Sequence, residues 1–307
     1  MSTDRGSLER SIRACYSTWA ERYYADYYEG EGAYPPVHIE IVRDLLAQAG
    51  SKSVLDAGCG PASMLRALEM NGLERFGFDL TPEMVAEARV VLSRQGVPES
   101  HIWQGSVLDT APFDSHAARS QGQFDAAVCF GVLPHIPADA DRTVLQNLHD
   151  AVRPGGFVAV EARNALFALF SLNRYSRAFF RDSLVDEAGL CSRSGDEAGA
   201  LDAALKEIDD RFRLDLPPVR KGHANEPGYD EVLSRTHVPM ELQRVAENAG
   251  LKEVRLLFYH YHALPPMLEA KVPKLFRRES LRMENPTDWR GYVMASAFIL
   301  VGQRPVT

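Results

Sequence analysis

The sequence predicts an α/β protein built on a doubly wound, mainly parallel sheet. Three observations predict it. Strand-like apolar runs alternate with helix-period segments from Ser53 to Arg163. Two of those runs, "FDAAVCFG" and "FVAVEAR", are almost continuously apolar, as strands covered on both faces must be. A glycine-rich turn, "DAGCG", follows the first run, at the carboxyl end of a strand where such sheets hold ligands.

Each element follows from its pattern. Residues 8–29 read as a helix rich in aromatics, among them Tyr16, Trp19, Tyr23, Tyr24 and Tyr27, and Val37–Ala49 reads as a second helix. Strand "SVLDAG" leads to helix "ASMLRALEMNG", and strand "RFGFDL" to helix "TPEMVAEARVVLSRQG". Thr81 is the expected N-cap of that helix, with Pro82 at its first position. Met84, Val85, Ala88, Val91 and Leu92 fall on one face at the helical period. A short strand, "HIWQGSV", precedes "FDAAVCFG". Helix "DRTVLQNLHDAV", closed by "RPGG", precedes "FVAVEAR".

The alternation stops near Asn164. Residues 164–236 carry an aromatic, helical segment, an acidic helix near 196–213 and a long loop, far more than a strand-to-helix connection needs. Such an insertion over an active face reads as a lid or substrate pocket. Helix "PMELQRVAENAG", strand "KEVRLLFYHYHA" and a last strand, "WRGYVMASAFILVGQ", complete the chain. The expected division is 1–50, an N-terminal helical segment; 51–163, the ligand-binding core; 164–236, a mainly helical cap; and 237–307, the C-terminal part of the core sheet.

Composition narrows the functions. The net charge of −8, from 34 basic and 42 acidic side chains, opposes general attraction to a polyanion, so no nucleic-acid partner is expected. The four cysteines show no CxxC spacing, so no zinc or redox site is expected, and Cys59 and Cys129 sit where small buried side chains belong. No signal-like or membrane-spanning run is visible, which points to a soluble, cytoplasmic protein.

The glycine turn alone is ambiguous. Gly58 and Gly60 fit the first two positions of a dinucleotide fingerprint and Asp79 supplies its later acid, but the third glycine position is Ser63. No GK[ST] follows, which excludes a phosphate-binding P-loop. Asp56 discriminates further: a carboxylate there repels a phosphate and attracts an ammonium or sulfonium. The ligand should carry positive charge and no pyrophosphate. A nicotinamide-dependent oxidoreductase stays as an alternative with an imperfect motif.

Four segments, in order and spacing, resemble the class I S-adenosylmethionine-dependent methyltransferases: "VLDAGCGPASML", "FGFDLTPEMVAEAR", "FDAAVCFGVLPHI" and "VRPGGFVAVEA". Residues 239–304 also fit that family's terminal helix, strand, strand. The resemblance implies a seven-stranded Rossmann-like sheet with its last strand antiparallel, S-adenosylmethionine as cofactor, and transfer of a methyl group to the O, N or S atom of a small-molecule acceptor. It also implies that residues 1–50 form a lid. A non-catalytic cofactor-binding protein of the same fold is the other possibility. A monomer or homodimer is expected. Two positions depart from the family: Ala62 stands where glycine is usual, and Ser106 where an aspartate often accepts from the adenine amine.

The resemblance assigns roles. Asp56, Gly58, Cys59 and Gly60 should line the methionine moiety. Asp79, with Leu80 beside it, should accept both ribose hydroxyls, and Ser106 and Val107 should frame the adenine. Phe130 should line the cofactor near the sulfonium, with Tyr24 from the N-terminal helix as an aromatic cover. His135 and Glu161 are candidate bases. Arg163, Asn164, Arg174, Tyr175, Tyr229, His237 and His260 are candidate acceptor contacts, the arginines suggesting an anionic group on the acceptor. Alternation along "FYHYHA" places His260 and His262 on one face and Tyr259 and Tyr261 on the other. No third ligand accompanies the histidines, so substrate contact or plain surface is expected and no metal.

Overall fold

The computed structural model describes residues 5–17, 35–114, 123–184, 187–215 and 232–306. Seven strands form one sheet: β1 (Ser53–Ala57), β2 (Glu74–Asp79), β3 (Ile102–Gln104), β4 (Phe124–Cys129), β5 (Val152–Arg163), β6 (Lys252–Tyr261) and β7 (Ala295–Gln303). Their order is β3-β2-β1-β4-β5-β7-β6. The ladders among β1 to β5 are parallel. β7 runs the other way against β5: Gly155 and Gly156 exchange hydrogen bonds with Arg304 at one end, and Asn164 donates to Ser296 at the other. The sequence-predicted architecture holds.

The apolar runs are apolar because both faces are covered. Val54, Leu55, Ala126, Ala127, Val128, Cys129, Val158 and Val160 have no exposed surface. The helices that accompany these strands are α1 (Arg5–Ser17), α2 (Val37–Ala49), α3 (Ser63–Ala67), α4 (Pro82–Ser93) and α5 (Asp141–Ala151), in chain order. α4 buries Met84, Val85, Ala88 and Leu92, the expected stripe, with Val91 half-buried. α5 buries Val144, Leu145 and Leu148.

Several boundaries differ from expectation. α1 begins at Arg5 rather than residue 8, and its expected continuation with Trp19, Tyr23, Tyr24 and Tyr27 lies outside the described residues. α3 is only Ser63–Ala67, because the chain must turn back into β2, and Gly72 at φ 77° serves that turn. "RPGG" does not end a helix but belongs to β5, where Gly155 (φ 79°) bonds to Arg304. "WRGYVM" is not strand: Gly291–Met294 is a short helix. The Asn164 amide there donates to the carbonyls of Gly291, Tyr292 and Ala295, holding the chain curled before β7 starts.

The chain divides into two compact units, one of Met1–Arg163, Val219–Leu257 and Phe298–Thr307, the other of Asn164–Pro218 and Phe258–Ala297. The expected boundaries are therefore corrected: 258–297 groups with the insertion, and the end of the insertion groups with the core. Within the second unit, α6 (Ala198–Asp209) is the expected acidic helix. α7 (Pro239–Asn248) belongs to the first unit and α8 (Pro273–Arg282) to the second. Asn173 caps the short helix Arg174–Ala178 with a capping box. Among the described residues, no helix is long and apolar enough to cross a membrane, and no group of metal-ligating side chains gathers.

Candidate active site at the carboxyl ends of the strands

The loop after β1 is pinned to β2. The amides of Gly58 and Cys59 both donate to the Phe78 carbonyl, at 2.8 and 2.9 Å. Gly58, at φ 87°, has to be glycine: a Cβ there would lie 2.3 Å from Val132 Cγ2. Ala62, where glycine is usual, takes a left-handed conformation, φ 61° and ψ 32°, as the N-cap of α3, and has no exposed surface. An L side chain there costs about 1–2 kcal/mol, so the departure keeps the glycine geometry and carries its strain.

Two carboxylates converge on this loop from neighbouring strands. Asp79, ending β2, accepts from the Gly60 amide at 2.9 Å through Oδ2 and from the Thr81 amide at 2.8 Å through Oδ1. Burial raises its carboxyl above the ordinary range, and those amides pull it back only in part. Thr81 stands at the N-cap of α4 but makes no side-chain cap bond. Its hydroxyl serves Asp79 instead, so Thr81 is the expected N-cap without a side-chain cap bond. Asp56 is 2 % exposed and its Oδ1 makes no hydrogen bond. Burial, and secondarily the charge of Asp79, pushes its carboxyl up to about 8. A buried acid without a partner is costly, and a cation placed against it would remove the cost. Cys59 lies buried alongside, its thiol pushed up by burial and by the two carboxylates, so it is an inert wall rather than a nucleophile.

The β3 end supplies the next part. Gln104 holds the Leu80 carbonyl at 3.2 Å, Val107 is buried with its carbonyl bonded to Asn147, and Ser106 faces α1. At the β4 end, the half-buried Phe130 stacks on His38 at 5.9 Å. Glu161 accepts from the Gly131 amide at 2.6 Å, bracing the loop that follows β4. His135, in that loop, is buried. Its Nδ1 meets the Leu233 carbonyl at 2.7 Å and its Nε2 the Tyr16 hydroxyl at 3.0 Å. Burial lowers its pKa to about 4, the Leu233 contact opposing and Arg163 adding to the shift.

The candidate acceptor residues divide. Arg163 donates to Ser234 Oγ at 2.5 Å, and His237, buried with neither ring nitrogen hydrogen-bonded, bonds through its amide to the Arg163 carbonyl. Both stand at the end of β5. Asn164 does not contact an acceptor: it is 3 % exposed, with its amide on three carbonyls and its Oδ1 accepting from the Leu166 amide, so the tentative role is corrected to that of a staple. Arg174 lies over Tyr175, 4.8 Å from the ring centroid, with Tyr175 48 % exposed. In the second unit Arg177 and Arg181 are committed to Asp209 and Glu187. The rings of His260 and His262 do lie together, centroids 5.2 Å apart, with His262 against Phe167 and Phe276. His260 sits at φ 62°, and both His262 ring nitrogens are buried without hydrogen bonds. Tyr24 and Tyr229 lie outside the described residues.

Sequence reasoning missed the contacts that link distant segments. Arg235 clamps the loop after β4, bonding the Ile136 carbonyl at 2.6 Å and the Asp141 carboxylate at 2.5 Å. Glu9 and Arg5 reach the loop after β3. Separations of 94 to 104 residues leave no local signal for such pairs.

Residues 54–156 match the family described as a methyltransferase domain. The chain is 28 % identical over 144 residues to a ubiquinone biosynthesis O-methyltransferase of Shewanella halifaxensis, covering 45 % of this chain and 57 % of that one. It is 32 % identical over 137 residues to one of Xanthomonas axonopodis pv. citri, covering 45 % and 53 %. The matches thus span little more than half the length of these relatives. A chain of the Haloferax volcanii complex of the Trm112 methyltransferase activator with a methyltransferase shares the fold, with a TM-score of 0.50 at 16 % identity over 94 % of this chain and 97 % of that one. Residues 54–156 thus match a methyltransferase domain, and the paired strand-end acids, the pinned glycine loop and the sheet order agree with the resemblance to the class I S-adenosylmethionine-dependent methyltransferases.

Proposed function

We propose that the chain transfers the methyl group of S-adenosylmethionine to a hydroxyl of a small-molecule acceptor. The observation that carries this reading is Asp56: a buried carboxyl with an oxygen lacking any partner, beside a loop too tight for a side chain at Gly58. That site fits a ligand bearing an ammonium. Asp79, the acid at the end of the neighbouring strand, fits the ribose diol, since a carboxylate presents two acceptor oxygens to a vicinal pair of hydroxyls. When bound, the cofactor supplies a methyl group already activated on a sulfonium, so the protein need only position the acceptor and manage its proton.

The proton falls to Tyr16 and His135. With Nδ1–H donating to the Leu233 carbonyl, the His135 lone pair on Nε2 faces the Tyr16 hydroxyl. Tyr16 takes a proton from the acceptor hydroxyl as its own moves to Nε2. A histidine lowered to about 4 is a weak base. It suits an acidic hydroxyl, phenolic or enolic, better than an aliphatic alcohol. The relatives named as ubiquinone biosynthesis O-methyltransferases support an oxygen acceptor. Glu161 holds the Gly131 amide and shapes the loop rather than moving a proton.

Calorimetric titration with S-adenosylhomocysteine and with NAD separates this reading from an oxidoreductase. Binding of NAD alone would overturn it. A panel of phenols, amines and thiols, assayed with S-adenosylmethionine, then tests the acceptor. Turnover confined to amines or thiols would remove the hydroxyl assignment, and cofactor binding without turnover of any class would favour a non-catalytic protein. Tyr16→Phe should lower kcat by roughly 10²–10³-fold, within the range of proton-transfer catalysis, while cofactor affinity stays unchanged.

A further inference from the structure

Where the adenine amine finds its acceptor follows from the edge of the sheet. Asp56 stands one residue before the end of β1, Asp79 ends the neighbouring β2, and Gln104, paired in register with Asp79, ends β3. Adjacent strands lie about 4.8 Å apart. A nucleoside that begins at Asp56 and places its ribose on Asp79 therefore sets its base on residues 105–109. An exocyclic amine there needs an oxygen to receive its N–H.

Ser106 does not have one to give. Its hydroxyl donates to Glu9 Oε1 at 3.1 Å, and its oxygen takes the Leu108 amide at 3.3 Å and Arg5 Nη2 at 3.5 Å. A hydroxyl has one proton and two lone pairs, so all are committed. Glu9 is differently placed. Its Oε1 holds Ser106 and Arg5 Nε (3.0 Å), whereas its Oε2 makes no hydrogen bond to any described residue, and the side chain is 21 % exposed. Arg5 fixes the geometry from the other side, through Asp109 Oδ1 at 2.9 Å.

We propose that Glu9 of α1 is the acceptor for the exocyclic amine of the cofactor's adenine, so the N-terminal helix supplies the recognition that Ser106 lacks. This rests on the reading of the site as an S-adenosylmethionine site. Cofactor affinity then depends on α1 being seated, because its carboxylate reaches the base only while Ser106 and Asp109 hold the helix. A free carboxylate oxygen also selects a donor at that position of the base, which favours adenine over a base with a carbonyl there.

The test is a binding cycle on the full chain, read by calorimetry without turnover. The ligands are S-adenosylhomocysteine and its analogue with hydrogen in place of the 6-amino group. The wild type should prefer the amine by about tenfold, the scale of a charge-assisted hydrogen bond. Glu9→Ala should abolish that preference and lose affinity only for the amine ligand. Glu9→Gln, of the same shape, should reduce the preference severalfold even if the alanine variant folds poorly. An undiminished preference in both variants overturns the proposal, as does its collapse in Asp109→Asn but not in Glu9→Ala. If the wild type binds neither ligand, the cofactor assignment itself fails and takes this inference with it.

Discussion

Two pairs of acids, one pair in each unit, are treated in opposite ways. In the first, Asp56 is buried and Asp79 half-buried near the strand ends, answered only by backbone amides and a hydroxyl or by nothing. Burial raises both carboxyls. In the second, Asp209 lies between Arg177 and Arg181, and Asp288 against Arg290. Those guanidiniums lower both carboxyls. Acids that already have cations hold structure together. Acids buried without them wait for a ligand, and the difference separates a cofactor site from a scaffold.

The comparison breaks first at Asp79. Asp79→Ala should weaken S-adenosylhomocysteine binding by roughly 10- to 100-fold, the scale of lost charged hydrogen bonds, and calorimetry reads it directly. An unchanged affinity would place the ribose elsewhere.

The pH dependence of binding comes next. Asp56 sits near 8 without a ligand, and a ligand ammonium would lower it. Binding should therefore release a proton wherever the pH lies between the bound and unbound values. Affinity should rise as pH increases from 6 to 8, by up to about tenfold per unit, and level off above. Asp56→Asn should flatten the profile. The same raised value gives the ligand-free protein its extra stability at low pH, lost as pH rises toward 8. Asp209, lowered by Arg177 and Arg181, contributes stability that fades as pH falls.

A smaller effect sharpens the contrast from the other side. Asp209→Asn should lower the melting temperature by a few degrees, since surface-proximal pairs contribute little, and leave cofactor affinity unchanged. A loss of affinity there would mean the units are not independent in this respect. Smallest is Ala62→Gly, which relieves the left-handed strain at φ 61°. Offset by the freer unfolded chain, it should stabilise by about 0.5–1 kcal/mol in a denaturant titration, with m unchanged.

Much of the proposed site was legible because its signals are local. Asp56, Gly58, Gly60 and Asp79 lie within two strand–turn units, and strand ends bring them together in any doubly wound sheet. The misreadings occurred where a side chain's partner comes from far along the chain. Asn164 looks like an exposed polar residue at a strand end, yet its amide is consumed by carbonyls 127 to 131 residues away. "WRGYVM" has strand composition, but those same bonds curl it into a helix.

By itself, then, the sequence determined the succession of strands and helices along the core, the burial of β4 and β5, and the two acids of the proposed cofactor edge, because apolar periodicity and glycine spacing act over a few residues. Only the tertiary structure decided which distant segments meet around the strand ends. Tyr16 on His135, Glu9 on Ser106 and Arg235 across the loop after β4 are contacts between segments whose proximity depends on how the whole sheet is wound. A hydrogen bond needs its partner within about 3 Å, and no local pattern specifies that partner from a hundred residues away.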